Sequence, residues 1–270
     1  VEHKRIASGI TEQELDRIAD HLVTIAGSGP NPVPVSTFGH DDLLLERYKQ
    51  AAQGCMTAFP TKAHAILAAV ATLRRQEDRM RTHFRVAMQC DPLDVVVQIN
   101  YVAALQDFAC LSEAADAARA HHGALNCHRE LLKQYVESAV FAGRFQEACQ
   151  CLTSKPHAAY LQREVEWFEQ VRLCAGFLAS LGVTDEATEG LQRKSSQCLR
   201  AAGLPVRKIG ISLEPHDHAF QYRVRFHWFL VASPETRDRL TRQFVAGLTA
   251  DEVFIRESYI MMGYESLPHH

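Results

Sequence analysis

Residues 109–115 read ACLSEAA and residues 143–148 read GRFQEA, and the two stretches are one pattern written twice. Each begins with a small residue, continues to a large apolar one (Leu111, Phe145) and closes on Glu-Ala. Superposing Glu113-Ala114 on Glu147-Ala148 sets a spacing of 34 residues, and a further 34 toward the N-terminus falls on Met80. Phe84, Ala87 and Asp91-Pro92 follow Met80. Apolar residues within each stretch recur at helical spacing, so a period of this length is read as a pair of helices joined by a short turn.

The units so framed run over residues 61–94, 95–128 and 129–162. The first carries Leu67, Ala68, Phe84, Ala87 and Pro92; the second Tyr101, Leu105, Ala109, Leu111, Ala114 and Ala118; the third Tyr135, Ala139, Gly143, Phe145, Ala148 and Leu152. Small Ala114 and Ala148 let two helices approach closely, and Phe84, Leu111 and Phe145 fill the groove beside them. Gly143 suits the turn between helices. Asp91-Pro92 ends a helix, because proline disfavours helical geometry in the residue before it.

This period and these positions resemble the tetratricopeptide repeat, an array of helix pairs. Met80 stands where that family has alanine, and Tyr160 where it has a terminal proline. A weaker fourth unit at 163–201 holds Trp167, Phe168 and Leu173, then Gly182 to Ala187, with a spacing stretched by about five residues. The fold expected is mainly α, an α-solenoid followed by a small α+β unit, divided into residues 1–59, 60–203 and 204–270.

Residues 1–59 read as a helical cap for the array. Thr11-Glu-Gln-Glu14 is a capping box ahead of Leu15, Ile18, Leu22 and Ile25. Three prolines and three glycines between Gly27 and Gly39 then break the pattern, and a second helix is expected from Asp41 to Ala58. After Gly203 the period changes to two. Ile209, Ile211 and Leu213 alternate with Lys208, Gly210 and Ser212, and Tyr222, Val224, Phe226, Trp228 and Leu230 alternate with Arg223, Arg225 and His227. Ser233-Pro234-Glu235 starts a helix with a capping hydroxyl, a proline in the first turn and an acid near the positive end. Glu252 to Met262 reads as a third strand, giving β-β-α-β, expected to dock on the last helices because so small a unit is marginal alone.

In the tetratricopeptide family the first helices line a concave groove that holds a peptide or a partner helix. By position, the resemblance places Lys62, Ala65, Ala69, Thr72 and Leu73 in that groove, then Val96, Ile99, Asn100, Ala103 and Gln106, then Glu130, Lys133, Gln134, Glu137 and Phe141. Asn100 stands where family members hydrogen-bond a ligand backbone, and Gln134 stands one repeat later. The version that grips a terminal carboxylate needs convergent cations, and only Lys62 and Lys133 qualify, with Ile66 in place of the first asparagine. The plainer reading is that Asn100 spans neighbouring helices.

The implied function is protein or peptide binding: a scaffold, adaptor, chaperone-like carrier or inhibitor. The alternative is an effector or enzyme with an anion or nucleic-acid site on the C-terminal unit, around Arg223 and Arg225. Aromatics for base stacking fall on the covered sheet face, which argues against nucleic acid. An exposed sheet edge there also offers pairing with a second chain.

No catalytic, metal or cofactor set emerges. His121, His122, Cys127 and His128 match no familiar zinc spacing, His216-Asp217-His218 reads as a polar connection, and Cys149 and Cys151 point in different directions on one helix. The net charge of −3 gives no global attraction to nucleic acid or anionic membrane. No apolar run approaches the roughly 18 to 20 residues of a membrane span, and the charged start Glu2–Arg5 has no apolar core behind it, so no signal peptide is expected. Eight cysteines without a C-x-x-C pair fit a reducing, cytoplasmic setting.

Overall fold

The computed structural model describes residues 10–25, 42–124, 128–153, 165–204, 208–216, 221–230, 232–258 and 260–266. They fall into two compact units, residues 1–104 and 105–270.

In the first unit α1 (Glu12–Ile25) and α2 (Asp42–Gly54) pack on α3 (Pro60–Leu73), and α3 pairs with α4 (Glu77–Cys90). The capping box forms: the Thr11 backbone N–H donates to Glu14 Oε2 at 2.7 Å, and the Glu14 N–H donates to Thr11 Oγ1 at 3.3 Å. These bonds, the backbone one foremost, hold the Glu14 carboxyl below its usual range. Leu15 and Leu22 of α1, Leu45 and Ala52 of α2, and Ala63, Ile66, Leu67 and Val70 of α3 join Cys55 in one buried cluster. Fully burying a leucine or isoleucine is worth about 1.5–3 kcal/mol, so this cluster is what holds α1 and α2 on α3. Met80, Phe84 and Ala87 of α4 are buried as their repeat positions require.

α5 (Val95–Asp107) contains the division between the units. The second unit continues with α6 (Leu111–Ala124), α7 (Arg129–Phe141), α8 (Phe145–Thr153), α9 (Val165–Ser180) and α10 (Asp185–Ala201). Sequence neighbours pack on one another, α6 on α7, α7 on α8 and α8 on α9.

The repeat is visible in the backbone. Arg75, Ala109 and Gly143 have φ of 56°, 56° and 88°, and they stand 34 residues apart. Each closes its helix in the same way. Gln76 N–H donates to Ala71 O, Cys110 N–H to Leu105 O and Arg144 N–H to Ala139 O, all at 2.8 Å. This six-to-one bond around a left-handed residue satisfies carbonyls the helix end would leave open. Gly182, with φ 70°, repeats the turn 39 residues after Gly143, with Val183 N–H on Leu178 O at 3.0 Å. The spacing there is five residues longer than 34, and three of the five lie within α9, which has 16 residues against 13 in α7. The chain is mainly helical with consecutive helix packing compatible with a helical repeat.

β1 (Lys208–His216), β2 (Gln221–Leu230) and β3 (Ile260–Ser266) form a sheet in that order. β1 and β2 are an antiparallel pair, and β3 lies parallel to β2. A parallel neighbour needs a crossover, which here carries α11 (Pro234–Ala246) and α12 (Ala250–Ser258). Ser233 caps α11 by accepting from Thr236 N–H, with Pro234 in the first turn. Glu252–Ser258 is helical, so the third strand expected over Glu252–Met262 begins only at Ile260, and the unit is β-β-α-α-β. A second capping box decides this: Thr249 N–H donates to Glu252 Oε2 at 2.7 Å and Glu252 N–H to Thr249 Oγ1 at 3.4 Å.

Val224, Phe226 and Trp228 are fully buried. The Phe226 ring meets Phe145 of α8 at 5.5 Å, and Tyr264 opposite Trp228 places its hydroxyl 2.8 Å from Ser195 Oγ of α10. Lys194 of α10 donates to Gly247 O at 2.8 Å and to Glu252 at 2.5 Å. The sheet therefore packs by its aromatic face on the last helices.

Candidate partner-binding surface

On α3, Ala63, Ile66, Leu67, Val70 and Ala71 turn inward, while Lys62, Ala65, Ala69, Thr72 and Leu73 retain exposure. On α5, Val97, Val102 and Leu105 are buried, and Val96, Ile99, Asn100, Ala103 and Gln106 retain exposure. On α7, Leu131, Leu132, Tyr135, Val136 and Ala139 are buried, and Glu130, Lys133, Gln134, Glu137 and Phe141 retain exposure. These positions keep partial exposure, although on α3 Ala69 and Leu73 pack against the buried cluster shared with α1 and α2.

The polar members differ in how free they are. Lys62 is ion-paired to Glu12 at 2.9 Å and Asp16 at 2.6 Å, both on α1. Burial alone would lower its pKa, but the hydrogen bonds it donates to Asp16 and Glu12 outweigh that and raise it. It holds the cap helix, a role invisible without the tertiary contact. Gln106 donates from Nε2 to Ser138 Oγ at 2.9 Å, tying α5 to α7. Lys133 and Glu137 pair along α7 at 3.8 Å. Val96 is 65% exposed and Leu93, on the turn before it, 66%, so the α5 stripe begins on a bare apolar step.

At the C-terminal unit, Arg225 Nη1 donates to Glu214 Oε2 at 3.1 Å, and Ser212 Oγ donates to Glu214 at 2.9 Å. The sheet face therefore carries its own counter-charge. Arg223 lies opposite Glu214 in the register; its side chain, like Asp217 and His218, is outside the described residues.

Among the described residues no three His, Cys, Asp or Glu side chains gather closely enough to hold a metal ion. Cys127 is not among those residues. His122 stacks on Tyr135 at 5.6 Å and 22°, and burial lowers the pKa of His121. Burial, with Glu147 nearby, pushes the Cys151 thiol up to about 11, and burial pushes Cys174 up to about 12. Protonated thiols are poor nucleophiles. Tyr135 is raised by burial and by its 2.8 Å bond to Glu147. An open pocket of about 520 Å³ in the first unit is lined by Asp42, Leu45, Leu73, Arg74 and Gln76. Its guanidinium is spent on Glu46 at 3.1 Å and Asp42 at 3.5 Å.

One close pair went unread in the sequence: His64 of α3 and His83 of α4, whose Nδ1 atoms are 3.0 Å apart. Nineteen residues separate them, and only the helix pairing brings them together.

No protein-family model, no curated protein and no solved structure matches the chain. No helix among the described residues is long and apolar enough to cross a membrane.

Proposed function

We propose that the chain is a protein-interaction scaffold of tetratricopeptide-like helix pairs, whose first helices take up a segment of a partner protein. The observation that carries this reading is the stripe that α5 leaves partly exposed, with Val96 65% exposed. On α5 that stripe is Val96, Ile99, Asn100, Ala103 and Gln106, which bears no charge. Apolar side chains flanking an amide suit an extended segment, whose backbone the amide bonds and whose apolar side chains the valine and isoleucine receive. On α7 the stripe adds Lys133, Gln134 and Glu137, which supply polarity to orient such a segment. With Lys62 committed to α1, a grip on a terminal carboxylate is disfavoured.

The test compares affinity capture by the wild-type chain and by the Asn100→Ala, Lys133→Ala, Gln134→Ala triple variant, each checked for native helicity. Partner recovery should drop at least tenfold in the variant. Equal recovery at matched folding refutes the surface.

A further inference from the structure

Two imidazole nitrogens 3.0 Å apart cannot both present lone pairs to each other; one must carry a hydrogen. The ring centroids of His64 and His83 lie 5.3 Å apart. That is about the nitrogen–nitrogen gap plus the distance from each ring centre to its own nitrogen, so the two Nδ1 atoms meet head-on. A shared metal ion would turn both lone pairs toward a third point instead. The neutral pair is therefore made of opposite tautomers, one ring protonated on Nδ1 and the other on Nε2.

We propose that His64 and His83 hold one proton between them as a clasp across the α3–α4 pair, and that acid opens it. The first added proton goes to the outward Nε2 of the donor ring and leaves the N–H···N bond in place, now charge-assisted. The second must go onto the accepting Nδ1. Two N–H groups then face each other, the bond is lost, and two imidazolium rings stand in contact.

The surroundings oppose both steps. Burial lowers His64 below its ordinary 6.5, and burial, His64 and Arg79, in that order, lower His83. Carboxylates on the packed helices are engaged elsewhere: Glu12 and Asp16 of α1 by Lys62, Asp42 and Glu46 of α2 by Arg74, and Glu77 of α4 by Arg81. The folded form takes up these protons less readily than the unfolded chain. Its stability is thus fully present above the ordinary histidine value and is lost as the pH falls below it. α3 and α4 pack on each other, so opening would expose Met80 and Phe84, which are buried on α4.

Imidazole nitrogen NMR on the full chain reads the tautomers. At pH 7.5 one ring of the pair should be an Nδ1–H tautomer and the other an Nε2–H tautomer; two Nε2–H rings would overturn the clasp. Amide exchange reads the opening. Corrected for intrinsic rates, α3 and α4 amides should exchange faster at pH 5.5 than at pH 7.5. The His64→Gln, His83→Gln double variant should lose most of that acceleration; retention of the full effect assigns it to other groups and refutes the proposal. His83→Asn removes one proton site and breaks the N–H···N bond, so the His64 titration should shift from its wild-type position. An unmoved His64 titration counts equally against the pair, and this variant decides the matter if the double variant does not fold.

Discussion

Thr188 of α10 donates its hydroxyl to the carbonyl of Gly143, and a Cβ built at position 143 would stand 2.7 Å from the Thr188 carbonyl carbon and oxygen. The α7–α8 turn and α10 approach more closely here than any side chain allows. Next to it, Arg144 pairs with Glu189, and Asp185 caps α8 by accepting from the Gln146 and Glu147 N–H groups at 2.8 and 2.9 Å. Asp185, Thr188 and Glu189 thus make one face of α10 the seat for the start of α8.

Gly143 and Gly182 share a left-handed backbone but not a neighbourhood, since nothing lies within 4 Å of a Cβ at 182. Gly182→Ala should cost only the conformational penalty, about 1–2 kcal/mol. Gly143→Ala adds a backbone clash that cannot be relieved by rotating a side chain, so its cost should exceed that of Gly182→Ala by about 1–3 kcal/mol, the range of overpacking. Urea denaturation of the two variants makes the comparison, and equal midpoints would remove the close approach from the account.

Arg75 occupies the same turn two array positions before Gly143 with φ 56° and bears a Cβ that disfavours it. Arg75→Gly should therefore stabilise the chain by up to about 1 kcal/mol, the usual gain where glycine replaces a strained left-handed residue at a helix end. A lower midpoint in urea would show that contacts of the Arg75 side chain outweigh the strain.

These turns explain how far the fold was legible. The 34-residue period is written in the turn positions and in Phe84, Ala114 and Ala148, so consecutive helices and the turns between them were readable locally. The sheet alternation through Val224, Phe226 and Trp228 also chose the buried face. What failed was Glu252–Ser258, the first part of the strand expected over Glu252–Met262, where Val253-Phe254-Ile255 looks like a strand although Thr249-x-x-Glu252 signals a helix start. The candidate surface was legible as a stripe and not as chemistry. Lys62 belongs to α1, Gln106 to Ser138 and Arg225 to Glu214 only through contacts between residues far apart in the chain. The His64–His83 pair is the extreme case, because neither residue carries a local signal.

The missed capping box can be weighed directly. Thr249→Ala removes the acceptor for Glu252 N–H and should cost about 1 kcal/mol. The loss should appear in α12 first, as faster amide exchange there than in α8. Glu252→Ala should cost more, since it also leaves Lys194 without its carboxylate on a half-buried side chain. If the two variants lose equally, the Lys194 contact contributes nothing.

The Arg144 site predicts both a mutational cost and an acid limb. Arg144 is 11% exposed and Glu189 16%. They make two bonds, Nε to Oε2 at 3.1 Å and Nη2 to Oε1 at 2.8 Å, while Nη1 reaches Asp116 at 2.6 Å. Burial by itself would raise the Glu189 carboxyl, but hydrogen bonds from Arg144 and Ser112 outweigh it and hold the group below its usual range. A carboxyl depressed in the fold contributes stability above its unfolded value, and that contribution disappears as the pH falls through the folded value. Wild-type stability should therefore fall on acidification below about pH 4.5, the ordinary glutamate range. Arg144→Ala leaves Glu189 buried without its cation and should cost about 3–5 kcal/mol near neutral pH. Arg144→Lys restores charge but not the two-pronged geometry and should recover only part of that loss. In Arg144→Ala the bonds from the guanidinium are gone and only the Ser112 bond still depresses Glu189, so the acid limb should flatten, with stability changing less between pH 5 and 3 than in wild type. Urea midpoints across that range measure it, and an unchanged limb would place the acid sensitivity on other carboxylates.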